Sequence, residues 1–407
     1  MSEKGKQFEG LVSKLGLSPL EAPTKIGSKE GELFIGLPKE RTFQEHRISL
    51  TPEAVHLLVS RGNRVIVETL AGSDSHFSDN EYSEAGAEIA DGPEQVFKSD
   101  IILKVAPPTL EEIGFMGIDQ TLISPIHLPT LEKEYIKALM KKKVTALAFE
   151  YIRDESGSFP FVRSMSEIAG NSAILIAAEL LSNISQGKGV LLGGITGVPP
   201  TEVVILGAGV VGTNAARAAI GMGSTVKVFD NNIYKLMRLQ EVIGTKIFTS
   251  TVSPAVLERE LSNADLAIGA IHSKDGRTDM LVTEDMVMKM KPGSVVLDIS
   301  IDQGGCFETS RVTDHNNPTY EVHDVIHYCV PNIPSRYAQT ASNAISNLIA
   351  PMLSRCQELG GMKGLLFEEK GCRNGTYLFK GNLTNMYLSE KFGIKASNLD
   401  WLFAANI

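Results

Sequence analysis

Glu202-Val203-Val204-Ile205-Leu206-Gly207-Ala208-Gly209-Val210-Val211-Gly212 is an apolar strand that runs straight into a glycine turn. The alanine-rich residues 213–222 that follow predict a helix, and Thr225–Phe229 predicts a second strand that closes on Asp230. Alone, G-x-G-x-x-G says little. At a strand-to-helix turn inside a βαβ unit, with an acidic residue about 20 positions on, it is the fingerprint of a Rossmann dinucleotide site. Gly207 permits the tight turn, Gly209 lets the backbone approach a pyrophosphate, and Gly212 lets helix and strand pack closely. The helix N-terminus offers unpaired N–H groups and partial positive charge to the phosphates. Asp230 can accept hydrogen bonds from ribose hydroxyls and would repel a 2′-phosphate, which predicts NAD rather than NADP. FAD shares the fingerprint and is the alternative dinucleotide.

Working outward, strands at residues 246–249, 264–270 and 294–299 continue the same domain. The last runs on through Asp298-Ile299-Ser300-Ile301-Asp302-Gln303-Gly304-Gly305. Asp302 follows the strand where the nicotinamide end of a dinucleotide would lie, whereas Asp298, within the strand, reads as structural. Upstream, strands at 32–37, 64–68, 101–105, 121–124 and 144–149 alternate with helical stretches. One helix starts at Thr51-Pro52, a capping hydroxyl followed by proline at the first helical position, and runs to about Ser60. Another spans about 167–185, before a glycine-rich loop at 187–197. Such alternation predicts a second mostly parallel sheet with helices on both faces. Ligands of such sheets bind beyond the C-terminal strand ends, so functional residues are expected there.

The bulk numbers narrow the class. The 407 residues suffice for two or three domains, and 43% hydrophobic with 21% charged residues is an ordinary globular balance. A net charge of −9 argues against nucleic acid as a partner. No apolar signal segment follows Met1, and no run of about 18 uncharged apolar residues predicts a membrane span. Cys306, Cys329, Cys356 and Cys372 lie far apart without a C-x-x-C pair, which argues against a zinc site or disulfide framework and for reduced structural thiols in the cytoplasm. Residues 1–31 read as a polar extension in which Phe8, Leu11, Leu15 and Leu17 could line one short amphipathic helix.

From Phe34 to the C-terminus the chain resembles the alanine dehydrogenase family, which includes the NAD-binding subunit of proton-translocating transhydrogenase. The resemblance rests on I-G-L-P-K-E-R, H-R-I-S-L-T-P-E, D-I-I-L-K-V, I-H-L, M-S-E-I-A-G, the glycine fingerprint, D-I-S-I-D-Q-G-G-C-F-E-T-S-R and V-H-D-V-I-H-Y-C-V-P-N-I-P-S. D-Q-G-G-C-F-E and Y-C-V-P-N-I-P are the dehydrogenase versions. The resemblance implies an α/β fold in which a Rossmann domain, 161–338, is inserted in a discontinuous second α/β substrate domain, 1–160 plus 339–407. It also implies a homohexamer and the reversible oxidative deamination of L-alanine to pyruvate and ammonia.

Site roles follow from the resemblance residue by residue. Arg47 matches the arginine that grips the substrate carboxylate, a task suited to a guanidinium fork. His127 matches the catalytic histidine, a general acid/base for the imine and carbinolamine steps. Asp302 matches the aspartate beside the nicotinamide. Ser166, Asp230, Lys235 and Asn332 match positions lining the cofactor site. Read without the resemblance, Arg47 is equally a surface ion-pair residue, His127 a core histidine and Ser166 a helix cap. One departure stands out: the family reads L-K-V-K-E-P, with the second lysine on the substrate, and this chain reads Leu103-Lys104-Val105-Ala106-Pro107-Pro108. Lys104, two positions earlier and so on the same face of a strand, is the expected substitute on the substrate. The departure leaves open a dehydrogenase of another amino or oxo acid, or a catalytically silent, transhydrogenase-like NAD(H)-binding protein.

Overall fold

The computed structural model describes residues 31–128, 131–272 and 277–404. The candidate helix of the N-terminal extension lies outside them. Two sheets organise the chain. The first contains β1 (Phe34–Leu37), β2 (Arg64–Glu68), β3 (Glu88–Ala90), β4 (Ile101–Leu103), β5 (Thr121–Ser124) and β6 (Thr145–Ala148). The second contains β7 (Glu202–Leu206), β8 (Thr225–Phe229), β9 (Phe248–Ser250), β10 (Leu266–Gly269), β11 (Val295–Asp298), β12 (Thr319–Val322) and β13 (Val325–Tyr328). The chain then returns to the first sheet with β14 (Thr376–Phe379) and β15 (Asn382–Leu383). The strand orders are β15-β14-β6-β5-β4-β1-β2-β3 and β12-β13-β11-β10-β7-β8-β9. β1–β6 pair in parallel, as do β7–β11 and β13, while β12, β14 and β15 are antiparallel edge additions. This is the inserted Rossmann architecture.

Burial explains the strands. β4, β5, β6, β10 and β11 are buried at every residue, as parallel strands covered on both faces must be. Each sheet has one topological switch point: β1 lies between β2 and β4, and β7 between β8 and β10. The expected C-terminal strand ends therefore gather at two crevices.

Two long helices carry the chain between the sheets and pack on each other, Pro160–Leu180 and Ala338–Glu358. The first begins seven residues before the expected start at 167, because Pro160 sits at the first helical position, where its missing N–H costs nothing. It presses on the helix that follows the glycine turn, Val210–Gly221, where a Cβ on Gly170 would stand 2.4 Å from the Val211 carbonyl oxygen. The helix that begins at Pro160 ends at Leu180, five residues before the expected 185, and the remaining strand and helix limits shift by up to three residues. No helix among the described residues is long and apolar enough to cross a membrane. All four cysteines are free and buried.

Candidate active site

The glycine turn is built as its spacing predicts. Gly207 has φ +108°, and a Cβ there would meet the Ala270 carbonyl oxygen at 2.4 Å. A Cβ on Gly212 would stand 1.9 Å from the Gly207 carbonyl oxygen, so only glycine closes the strand–helix turn. Gly209 faces open space: nothing lies within 4 Å of a Cβ built on it. Asp230 is fixed at the end of β8, its two oxygens accepting the N–H groups of Ala208 and Asn232, both at 2.8 Å. Lys235 lies 3.7 Å from the same carboxylate, and its helix is capped by Asn232. An open glycine approach at a helix N-terminus, flanked by a positioned carboxylate, fits a dinucleotide.

Across the crevice stand residues that follow β1, β5 and β6. Arg47 is buried, and its guanidinium is clasped by Glu45, with Nε 2.6 Å and Nη2 2.5 Å from the carboxylate oxygens. Burial opposes the charge on Arg47, but Glu45 outweighs it and the guanidinium pKa rises. For Glu45, too, burial is overcome by Arg47, and its carboxyl stays below its ordinary value. The Nη1 end points toward the sulfur of Met165, 3.4 Å away. The Asn332 side-chain amide donates to Glu45 at 3.0 Å, while the Asn332 backbone N–H donates to Asp302. Asn332 thus joins the arginine of one domain to the aspartate of the other. It adopts the left-handed conformation, φ +54°, that lets side chain and backbone aim at different carboxylates.

Asp302 is open to the crevice, yet the protein walls around it desolvate its carboxyl and push it up to about 6, against the pull of Arg47 and the Asn332 N–H. His127 is also open to the crevice and has φ +47°. Its imidazole pKa is lowered, first by desolvation and then by the Arg47 charge. Arg47, His127 and Asp302 therefore share one electrostatic neighbourhood although 255 residues separate Arg47 from Asp302 (302 − 47).

Ser166 lies in the second turn of the helix Pro160–Leu180, beside Met165, and not at a cap. Asp298 is structural as expected: it is buried and accepts from the N–H groups of Ser300 and Cys306 at 3.0 and 2.9 Å and from the Ser310 hydroxyl at 2.7 Å. Lys104 differs from its expected use. Its ammonium is enclosed, 2.9 Å from Glu40 and 3.0 Å from Glu112, with no side-chain exposure. Two carboxylates compensate the desolvated charge, so the ammonium is held away from a substrate.

Two functional candidates escape a reading of the sequence. One is Glu45, which has no motif signal beyond standing two positions before Arg47. The other is Glu150, which follows β6. One Glu150 oxygen accepts the Ile126 N–H at 2.7 Å and the His127 N–H at 3.4 Å, and the other is buried without a hydrogen-bond partner. Burial pushes this carboxyl up to about 7.

Two α/β domains, one a Rossmann domain, that face arginine, histidine and aspartate across a shared crevice define a class of nicotinamide-linked dehydrogenases and their relatives. Family models agree: "Alanine dehydrogenase/PNT, N-terminal domain" matches residues 36–169 and "Alanine dehydrogenase/PNT, C-terminal domain" matches residues 173–386. The alanine dehydrogenase of Staphylococcus epidermidis is 37% identical over 367 residues, 90% of this chain and 98% of its own. Alanine dehydrogenase 2 of Staphylococcus aureus is 37% identical over 377 residues, with the same coverage. A solved L-alanine dehydrogenase superposes with a TM-score of 0.84 at 36% identity, covering 88% of this chain and 99% of its own. The transhydrogenase from Sinorhizobium meliloti superposes with a TM-score of 0.73 at 25% identity, covering 86% and 98%. The chain belongs to the alanine dehydrogenase/PNT family.

Proposed function

We propose that the protein catalyses the reversible, NAD-linked oxidative deamination of L-alanine to pyruvate and ammonia. What supports this reading is the electrostatic coupling of Arg47 to both His127 and Asp302, with Asp302 just after a strand of the sheet that carries the Gly207–Gly212 turn, in a chain with alanine dehydrogenases among its relatives. A nicotinamide dinucleotide on that turn would supply the hydride acceptor. Asp230 disfavours a 2′-phosphate and supports NAD, with Ser166, Lys235 and Asn332 lining the same site.

Arg47 takes the substrate carboxylate on the guanidinium edge left over by Glu45. His127, neutral near pH 7, accepts a proton from the amine or from the water that attacks the imine. Asp302 steers that water, or ammonia in the reverse direction. Closure of the two domains over the crevice excludes bulk water. Lys104 acts on the site only through Glu40 and Glu112.

We place the domain limits at 1–160, 161–338 and 339–407; the starts of the two long helices, at Pro160 and Ala338, support the two inner limits. An oligomer, a hexamer by resemblance, is supported by the exposed apolar side chains of Ile184, Leu191, Ile195, Val198 and Met222. The four free thiols favour the cytoplasm. Ala106 favours a second reading, turnover of a different amino acid. NADH oxidation with ammonia and a panel of 2-oxo acids separates the two. Fastest turnover with pyruvate supports alanine, fastest turnover with another acid reassigns the substrate, and tight NADH binding without turnover refutes both.

A further inference from the structure

We propose that Gln44 is a positioning residue for amino-acid binding: its side-chain amide latches the segment that carries Glu45 and Arg47 onto the turn around His315, so that connections of the second sheet set where the guanidinium stands. The inference rests on the dehydrogenase reading, in which Arg47 takes the substrate carboxylate. Gln44 itself lies between the stretches I-G-L-P-K-E-R and H-R-I-S-L-T-P-E, outside the motifs that carry the family resemblance.

Residues 44–47 lie after β1 in a stretch with no helix or strand of its own. The neighbouring Phe43 is 70% exposed, so burial of apolar surface does not anchor the stretch either. Gln44 has φ +60°, a left-handed conformation that residues other than glycine, asparagine and aspartate keep only where their surroundings hold them. Two bonds hold it. The Gln44 side-chain oxygen Oε1 accepts the His315 N–H at 2.9 Å, across 271 positions of sequence, and the Gln44 backbone carbonyl accepts the Ser335 hydroxyl at 2.7 Å. The next residue, Glu45, clasps Arg47 with both carboxylate oxygens. A displacement of Gln44 therefore moves the clasp and the guanidinium with it.

The far side of the latch is a braced turn. Asp314 accepts the N–H groups of Asn316 and Asn317, both at 2.8 Å, which closes the chain around His315. The Thr313 N–H donates to the Cys329 carbonyl at 3.1 Å, and the Thr313 hydroxyl to the Pro318 carbonyl at 3.0 Å. These bonds tie the turn to the residue that follows β13, a short step before Asn332, whose side chain donates to Glu45 at 3.0 Å. Gln44 and Glu45 are thus gripped from one unit, the first by the turn and the second by Asn332. An amide suits the first grip because it accepts a hydrogen bond without adding charge beside Glu45.

The test is steady-state kinetics of the full chain on the amino acid that the panel of 2-oxo acids selects, with NADH affinity read by fluorescence. Gln44→Met keeps the length of the side chain and removes the acceptor. It should raise KM for the amino acid by about fivefold or more, the loss of one hydrogen bond expressed at the guanidinium, while kcat and NADH affinity stay within about twofold. Gln44→Asn suits the left-handed backbone but carries its amide one methylene too short, and it should give the same rise in KM should Gln44→Met misfold. Asp314→Ala opens the turn from the other side and should raise KM in the same direction. Because both changes break one latch, the double variant should lie within about twofold of the worse single variant. An unchanged KM in Gln44→Met and Gln44→Asn, a parallel loss of NADH affinity, or additive effects in the double variant overturns the proposal and leaves the dehydrogenase reading standing. If the natural chain binds NADH and turns over no member of the panel, the dehydrogenase reading falls and the proposal with it.

Discussion

His127 shows how a side chain acquires its role from groups distant in sequence. Desolvation and the Arg47 charge lower its pKa, and Glu150 holds its peptide N–H from behind. Replacement of His127 or Arg47 by alanine should reduce kcat/KM by roughly 100-fold or more while NADH affinity, measured by fluorescence, stays within about twofold. Near-normal turnover would remove the altered residue from the mechanism. Glu150 carries a stability cost with a defined sign. Its carboxyl is raised from 4.5 to about 7, so between those values the folded chain binds more protons than the unfolded one, and stability falls as pH rises through the window. Glu150→Gln keeps the acceptor oxygen and removes the charge. It should therefore raise the melting temperature at pH 8, by about 2–4 °C per kcal/mol recovered, and change it little at pH 5. Equal shifts at both pH values would mean that ionisation of Glu150 is not what strains the fold. Lys104 is the opposite case, a buried cation serving two carboxylates. Lys104→Ala should destabilise the chain by about 3–5 kcal/mol in denaturant titrations, since it leaves Glu40 and Glu112 uncompensated.

At the scale of elements, the βαβ unit separates folding from binding within one short turn. Gly212→Ala forces a methyl onto the Gly207 carbonyl oxygen, 1.9 Å away, and should lower thermal stability and NADH affinity together. Gly209→Ala meets nothing within 4 Å and should fold normally, yet weaken NADH by about tenfold or more where a methyl crowds the phosphates. Parallel melting and binding measurements on the pair decide this; undiminished NADH affinity in Gly209→Ala would move the dinucleotide off the turn. The unit was legible because each part has a local cause: an apolar run for a buried strand, glycine for the turn and an acid at the end of the next strand. Helix and strand limits were less legible. At Pro160, proline chemistry and the helical spacing of Phe161, Met165 and Ala169 both mark the earlier start, but the polar residues Arg163, Ser164, Ser166 and Glu167 between them mask it.

Across the whole molecule, the chain from Ser335 into the helix Ala338–Glu358 braces the segment that carries Arg47. The Ile48 N–H donates to the Ser342 hydroxyl at 2.9 Å, the Thr51 N–H to Ser346 at 3.1 Å, and the His46 N–H to Ser335 at 3.0 Å. Serines almost 300 positions downstream thus fix the backbone that presents Arg47. Ser342→Ala leaves the buried Ile48 N–H without its partner, at a cost of about 1–3 kcal/mol. It should raise the KM for the amino acid more than it lowers kcat; unchanged kinetics would show that the loop holds itself. By itself the sequence determined the Rossmann unit, the parallel sheets and the strand ends at which ligands gather, because strand periodicity, turn glycines and helix starts are local properties of the chain. Only the tertiary structure decided that Arg47 is clasped by Glu45, that Asn332 ties it to Asp302, that Lys104 is spent on Glu40 and Glu112, and that Glu150 stands behind His127. Those are through-space balances of charge and desolvation between residues on different strands, and no spacing along the chain encodes them.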